Sequence, residues 1–537
     1  MHIPKFIKYI LPLTVILSLT ACDNQTQIKQ DGLSYCTEGS PSSFNPQTAT
    51  SNVTLDATTS QLYNRLLFID PNTQQFKAGL AIDWEISEDR LSYRFFLRKN
   101  VQFHQTDYFT PTRPFDADDV IFSFSRILDE TNPYHDVSAT GYPFFEGIEL
   151  DQQVQALVKI DDYTIEFRLV RPDSSFIANL ASDFSVILSA EYADTLIALN
   201  KQADIDNLPI GTGPFKFKEY RTDNFIRYQR HDDYWGDNAK IKQLIFDITP
   251  NASSRLAKLL TQECDIMAYP AASQVEMISE HDRVNISVET GLNVAYWAFN
   301  TEKAPFNNPK IRRALAHTIN QDTLLQAVYY NTGVNAKSIL PPVSWAYNPY
   351  LKNYKYNLAY ARQLLTEAGY PNGFSMDIMA LKSSQVYNPD AVKMAELIQA
   401  ELAQIGIDVR IIKYEWQLME KKLQQSEYDS YLLGWVADNN DPDNFFRFQL
   451  SCNAINTGSN YTRWCNSEFD ELINQAVTET EYIERVTLYY RAQEIIQQEL
   501  PLIPLAHSLR LHAYTSGLKG VETTAFGGIN FINTVRQ

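Results

Sequence analysis

Apolar positions recur along this chain with two different periods, and the change from one to the other marks its organisation. Leu33 to Tyr35 reads as a short strand, and the stretch from Glu38 to Asn52, rich in Ser, Pro, Asn and Thr, reads as a loop. Val120, Phe124 and Ile127 follow at helical spacing behind Asp116, which can cap that helix, while Asp119 suits its positive end. Between Leu150 and Leu169 the apolar set Val154, Leu157, Val158, Ile160, Ile165 and Phe167 predicts paired strands. Gly211 to Phe215 (GTGPF) has neither the Lys-Ser/Thr of an ATP loop nor a third Gly at dinucleotide spacing, so it reads as a turn before a strand. Phe225 to Tyr228 is strand-like and leads into RHDDYWG, where His231 reads as a surface or structural residue.

The second half changes texture. Gly291 to Thr301 is strand-like, and Asn308-Pro309 starts a helix whose face is Ile311, Leu315 and Thr318-Ile319. Asn357 to Gly369 repeats the helical pattern, with Gly369 as terminator. Asn388-Pro389 starts a third helix with the stripe Met394, Leu397-Ile398, Leu402 and Ile405, which stops at Gly406 before the alternating strand Ile407, Val409, Ile411. Helix then strand, repeated, predicts an α/β lobe. A late helix from Glu481 to Leu500 is closed by Pro501 and Pro504, and Leu502 to Leu505 reads as a crossing back towards the first half.

One stretch departs from these periods. In Tyr431 to Phe446, YLLGWVADNNDPDNFF, an apolar run stops at Gly434-Trp435 and gives way to three Asp and three Asn. An aromatic beside an acid at a strand exit is suited to grip a cationic, partly apolar ligand; a turn in which Asp and Asn only satisfy backbone groups is the competing reading.

The first 21 residues form a leader. Lys5 and Lys8 precede an apolar stretch from about Tyr9 to Leu19 that is short and interrupted by Pro12, unlike a membrane span. It ends Leu19-Thr20-Ala21-Cys22, which resembles a lipobox with Cys22 as the lipid-bearing residue; ordinary cleavage and release into the periplasm is the alternative. Asp23 resembles an inner-membrane retention signal, and residues 22–31 would be the lipidated Cys and its tether. The formal net charge of −18 becomes two charges more negative without the leader, which disfavours nucleic acid and anionic membrane surfaces. Four Cys then remain, an even number in an exported chain, with three possible pairings. Proximity favours Cys452 with Cys465, which leaves Cys36 with Cys264; no short-spaced metal-ligand set lies beside them. There is no GxSxG elbow and no HExxH helix, so the expectation is a non-enzyme without metal or cofactor.

YCTEGSPSSFNPQ from Tyr35, FTPTRPFDADDV from Phe109, GTGPF, RHDDYWG, FNNPKIRRALAHTIN from Phe306 and DNNDPDNFF from Asp438, together with the lipobox, resemble the family 5 extracytoplasmic solute-binding proteins of ABC importers. Cys264-Asp265 with YPAASQ, SILPPVSWAY from Ser338 and LPLIPLAHSLRLHAY from Leu500 look most like a peptide-transport member of that family. The resemblance covers nearly the whole mature chain. It implies a two-lobe, hinge-closing α/β periplasmic binding protein fold with an extra N-terminal subdomain. Lobe I would comprise 32–62, 205–289 and 506–537, with 63–204 the inserted subdomain and 290–505 lobe II. The same two cysteine pairings are implied by the dipeptide-binding branch.

The resemblance also implies a site. Asp438 matches the acid that anchors a peptide ammonium, with Gly434 and Trp435 on the same segment, Thr50 and Ser51 facing the ligand from the first lobe, and Tyr387 as a cleft aromatic. Where the dipeptide-binding branch has an Arg for the peptide carboxylate this chain has Gln385, which cannot make a charge-assisted bidentate pair; Lys382 lies nearby in sequence. The expected partners are a peptide, including cationic or antimicrobial peptides, the permease subunits of an ABC transporter, and the inner membrane of a Gram-negative cell through the lipid, with a monomer as the family default. A haem or polyamine cargo is the alternative, for which His317, His507 and His512 are the residues to test.

Overall fold

The computed structural model describes residues 32–70, 73–457, 459–523 and 528–537. The leader, Cys22 and the tether lie outside the described residues.

Among the described residues twelve strands form one sheet, ten of them along a single hydrogen-bonded path and two more paired to one strand of it. Strand β1 (Gly32–Thr37) is followed by helix α1 (Asn52–Leu62), and the parallel strands β2 (Gln243–Ile248) and β3 (Ile266–Ala268) flank β1 on either side. Later in the chain come β4 (Asn293–Phe299), β5 (Ser430–Val436), α2 (Asp443–Leu450) and β6 (Leu502–Thr515). β6 joins the two halves: its first residues pair with β4, Leu502 beside Ala298, and its last with β3, Tyr514 beside Ile266. The predicted crossing at Leu502–Leu505 is thus the start of a strand 14 residues long. It has room for both pairings because one end is shared with each lobe.

The fold is two-lobed and α/β, and the burial pattern shows why. One apolar core includes Tyr35, Phe246, Phe215 and Phe531 and continues into residues such as Phe95, Phe124 and Phe167. Two others cover opposite faces of the second sheet half, one under Met394, Ile398 and Leu402, the other under Tyr431, Phe446 and Tyr489. β4 is buried at all seven positions because both its faces are covered. An antiparallel sheet of four strands, Ala81–Ile86, Ser92–Leu97, Thr164–Leu169 and Val154–Asp161, packs with the helix Ala117–Leu128. That helix is closed by a capping box in which Asp116 and Asp119 satisfy each other's backbone groups.

Three sequence boundaries move. Leu150–Gln153 forms a helical turn, and strand pairing begins only at Val154. The helix capped by Asn308 ends at Ala316, which leaves Thr318 and Ile319 buried in the turn beyond it. The third helix starts at Ala391, because Asp390 supplies the cap by accepting from the Lys393 amide; Asn388 accepts from the Asp390 amide one turn earlier. Cys36 is bonded to Cys264 and Cys452 to Cys465.

Candidate functional site

The apolar run of β5 buries Tyr431, Leu432 and Leu433 and then opens at Gly434. A Cβ at Gly434 would meet both the Tyr387 ring and the Val294 carbonyl, so the absence of a side chain is what allows Tyr387 to lie on the strand. Trp435 donates its indole N–H to Asn444 Oδ1 at 2.9 Å, and its ring lies 5.4 Å from Phe448. Asn444, on the first turn of α2, uses both ends of its amide: Oδ1 also accepts from the Asp438 backbone at 3.1 Å, and Nδ2 donates to Asp438 Oδ2 at 3.1 Å.

The acids of this stretch divide into two kinds. Asp441 accepts from the Asp443 amide and pairs with Arg485 at 3.0 Å, while Asp443 pairs with Arg447 at 2.7 Å. These are turn and packing groups, as the competing reading of the stretch requires. Asp438 differs. Its carboxyl is half-buried at the strand exit, and burial, with the Asp183 carboxylate adding to it, pushes its pKa from 3.8 to about 7 against the lowering bond from Asn444. No cation figures among the groups that set that value.

Contacts from the first half of the chain reach this segment and the carbonyls at Val477 and Glu479. Asn439 Nδ2 donates to Asn179 Oδ1 at 2.9 Å, Asn440 Nδ2 donates to the Gln74 carbonyl at 2.8 Å, and Ser174 donates to the Val477 and Glu479 carbonyls at 2.6 Å. A cavity of about 20 Å³ remains between Asp173 and Asn179 on one side and Asn439, Asn444 and Arg447 on the other. Asp183, which is held by Arg65, is the acid whose charge acts on Asp438.

The structure therefore brings Gly434, Trp435, Tyr387 and Asp438 to one strand exit. Gln385 sits in the tight turn that carries Tyr387, with Gln385 N donating to the Asn388 carbonyl at 2.9 Å and its side-chain amide donating to Ser383 Oγ at 3.0 Å. Lys382 is exposed and lies 3.5 Å from the Glu415 carboxylate. Thr50 and Ser51 are exposed at the start of α1, where Ser51 is the N-cap residue and its hydroxyl is 3.3 Å from that of Thr54. Neither is tied to the Asp438 group by a described hydrogen bond. His507 and His512 are buried, and His317 Nδ1 donates to the Lys355 carbonyl at 2.7 Å, with the rings of Tyr354 and Tyr360 edge-on to its own. Asn444 and Asp183 were not legible as site residues. The first reads as one Asn among three, and nothing in the sequence near the second announces a partner 255 positions on.

The family model described as bacterial extracellular solute-binding proteins, family 5 Middle, matches residues 75–457. The chain is 42% identical over 510 residues to the peptide transport periplasmic protein SapA of Salmonella typhimurium, spanning 95% of this chain and 93% of that one. It is 41% identical over 523 residues to heme-binding protein A of Haemophilus influenzae, covering 95% of each. The solved dipeptide-binding protein of Pseudoalteromonas sp. SM9913, in complex with Met-Leu, is 47% identical and superposes with a TM-score of 0.88 over 94% of this chain and all of that one.

Proposed function

The chain belongs to the family 5 bacterial extracellular solute-binding proteins, and from that membership we propose that it captures peptides in the cleft between its lobes and delivers them to an ABC transporter permease. The observation that carries the peptide reading is Asp438, a carboxyl at the exit of β5 whose described partners are a neutral amide and another acid. A peptide ammonium supplies the missing cation, and Tyr387, Trp435 and the backbone at Gly434 form the wall beside it. Thr50 and Ser51 present the other face, and Gln385 leaves the far end without a bidentate cation, so a free C-terminus is not a condition of binding. The relatives support this through a peptide transport protein and a structure holding Met-Leu.

The lobes divide as 32–62, 205–289 and 506–537 for lobe I, 63–204 for the inserted subdomain and 290–505 for lobe II, with β6 crossing between them. Contacts made by both lobes exist only when the cleft is closed, so ligand shifts the hinge population towards the closed form that the permease meets. Cys22 anchors the mature monomer in the inner membrane, facing the periplasm.

Native mass spectrometry of protein purified from periplasm, followed by denaturation, tests the reading. A ladder of peptide masses is the expected release, and a single non-peptide mass refutes a peptide cargo. Haem is the second reading, favoured by the 41% identity to heme-binding protein A; its signature would be a Soret band in the purified protein.

A further inference from the structure

The direction in which the Asp438 carboxyl points is set from the element that follows it. Asn444 is the second residue of α2 and is 4% exposed, and its backbone is fixed by the start of that helix, where its N–H donates to the Asp441 carbonyl at 3.2 Å. Its side chain makes three bonds to the exit of β5. Asn444 Oδ1 accepts from the Trp435 indole at 2.9 Å and from the Asp438 backbone at 3.1 Å, and Nδ2 donates to Asp438 Oδ2 at 3.1 Å. One orientation of the amide serves all three. Turned over, it would set an NH2 against two N–H donors and an oxygen against a carboxylate.

The two oxygens of Asp438 are thereby made unequal. Oδ2 is held by Asn444, whereas Oδ1 is engaged by no hydrogen bond among the described residues and is not one of the sealed polar atoms. The same amide fixes the Trp435 indole, whose ring lies 5.4 Å from that of Phe448, so the acid and the aromatic wall keep one relation to each other. Donation into Oδ2 also favours the ionised acid, against burial and the Asp183 charge. The other charges of the neighbourhood are matched: Asp183 with Arg65, Asp441 with Arg485 and Asp443 with Arg447.

We propose that Asn444 is a positioning residue of the peptide site: it holds the Trp435 indole and the Asp438 carboxyl as one unit and leaves Oδ1 of Asp438 to the ligand ammonium. The proposal rests on the peptide reading of the cleft and gives Asn444 no contact with the ligand. It acts through Asp438, from the rigid first turn of α2. A purely structural Asn at this turn would support the fold without tuning the acid, and the two roles separate in how affinity depends on pH.

Titration calorimetry with Met-Leu and trialanine at pH 6 and pH 8 tests it. Asn444→Asp keeps an acceptor for the Trp435 indole and the Asp438 backbone but replaces the donor by a second acid, which raises the pKa of Asp438 by about one unit, the scale of one charged hydrogen bond. An ammonium needs the ionised acid, so affinity is expected to fall about tenfold at pH 6 and only about twofold at pH 8 relative to the unaltered protein. In the exchange Asp438→Asn with Asn444→Asp, the amide now at 438 can donate to the acid at 444, which restores the pair in reverse and keeps the test open if the single variant does not fold. Its affinity is expected to stay about a hundredfold low, equal to that of Asp438→Asn alone to about twofold. A loss in Asn444→Asp that is the same at both pH values marks a structural role and overturns the inference. Recovery of affinity in the exchanged protein puts position 444 itself on the ammonium and overturns it too; both outcomes leave the peptide reading standing. If neither peptide binds the unaltered protein, the peptide reading and the inference fail together.

Discussion

Replacing Asp438 by Asn separates the two effects of its carboxyl. In the empty protein its pKa is raised from 3.8 to about 7, so the protonated form favours the fold. That contribution is complete below the unfolded value and is lost as the pH rises through about 7. At pH 8 the ionised group costs the empty protein at most about 4 kcal/mol, from about three pKa units at 1.36 kcal/mol each. Solvent screening of a half-buried side chain reduces this to about 1–3 kcal/mol. Asn can still accept from Asn444 Nδ2 and carries no charge. With an unfolding entropy of about 2 cal/mol/K per residue, Asp438→Asn is therefore expected to raise the melting temperature of the empty protein at pH 8 by about 1–3 °C.

Ligand affinity moves the other way. An ammonium needs the ionised form, so affinity for a peptide falls about tenfold for each unit of pH below the free pKa, and binding at neutral pH releases protons. The Asn variant loses about two orders of magnitude in affinity at pH 8, corresponding to about 3 kcal/mol, and its affinity becomes flat with pH in this range. Scanning calorimetry of the empty protein and titration calorimetry in two buffers of different ionisation enthalpy read both effects. Unchanged peptide affinity, or a variant that melts lower at pH 8, refutes the assignment of Asp438 as the anchor.

Three further perturbations probe the surrounding structure. A Cβ at Gly147 would meet the Phe448 ring on α2, so Gly147→Ala is expected to weaken peptide binding several-fold with an unchanged melting temperature; small-angle scattering would show a less compact liganded form. Gly434→Ala places a methyl against the Tyr387 ring and the Val294 carbonyl, and is expected to lower both stability and affinity, the former by about 1–3 kcal/mol in denaturant titration. The Cys452–Cys465 bridge closes a loop with a sequence separation of 13, and its removal by paired Ser substitutions costs about 3 kcal/mol of stability in the chain-entropy model, with the denaturation midpoint falling and the peptide affinity retained.

Elements whose buried face is apolar were legible. The cap at Asp116 and the helix stripe Met394, Ile398 and Leu402 follow from periodicity and terminal chemistry, whereas the end of that helix falls at Ala403, three residues before the predicted stop at Gly406, which lies in the turn beyond with a positive φ. α1 was not, for a physical reason: Thr54, Asp56, Thr58, Thr59 and Gln61 are buried there, and a helix with polar groups on its inner face shows no apolar stripe. Its partners come from far along the chain, Thr59 from the Asp183 carbonyl and Gln61 from that of Ile529. Similarly, the change from Gly434-Trp435 to a polar run located the strand exit, but it could not tell Asp438 from Asp441 and Asp443. That distinction depends on Arg485 and Arg447: Arg485 lies 44 positions from Asp441, and Arg447 lies one helical turn from Asp443 on α2.

The same separation of acids bears on how an empty cleft is kept from closing. The hydrogen bonds across the gap, at Asn439, Asn440 and Ser174, replace bonds that the open groups make to water, so their net contribution is about 0.5–1.5 kcal/mol each. Against them stands the Asp183 charge acting on Asp438, which adds like-charge repulsion to the burial of a carboxyl. Burial and repulsion at Asp438 therefore oppose the gain from those hydrogen bonds. A cation placed at Asp438 removes the repulsion and the desolvation cost together, and it does so only in the closed arrangement, where both acids face it. Ligand charge, rather than added contact area, is then what shifts the population. An N-acetylated peptide of the same sequence, which has no terminal ammonium, would leave the two acids opposed and the lobes apart.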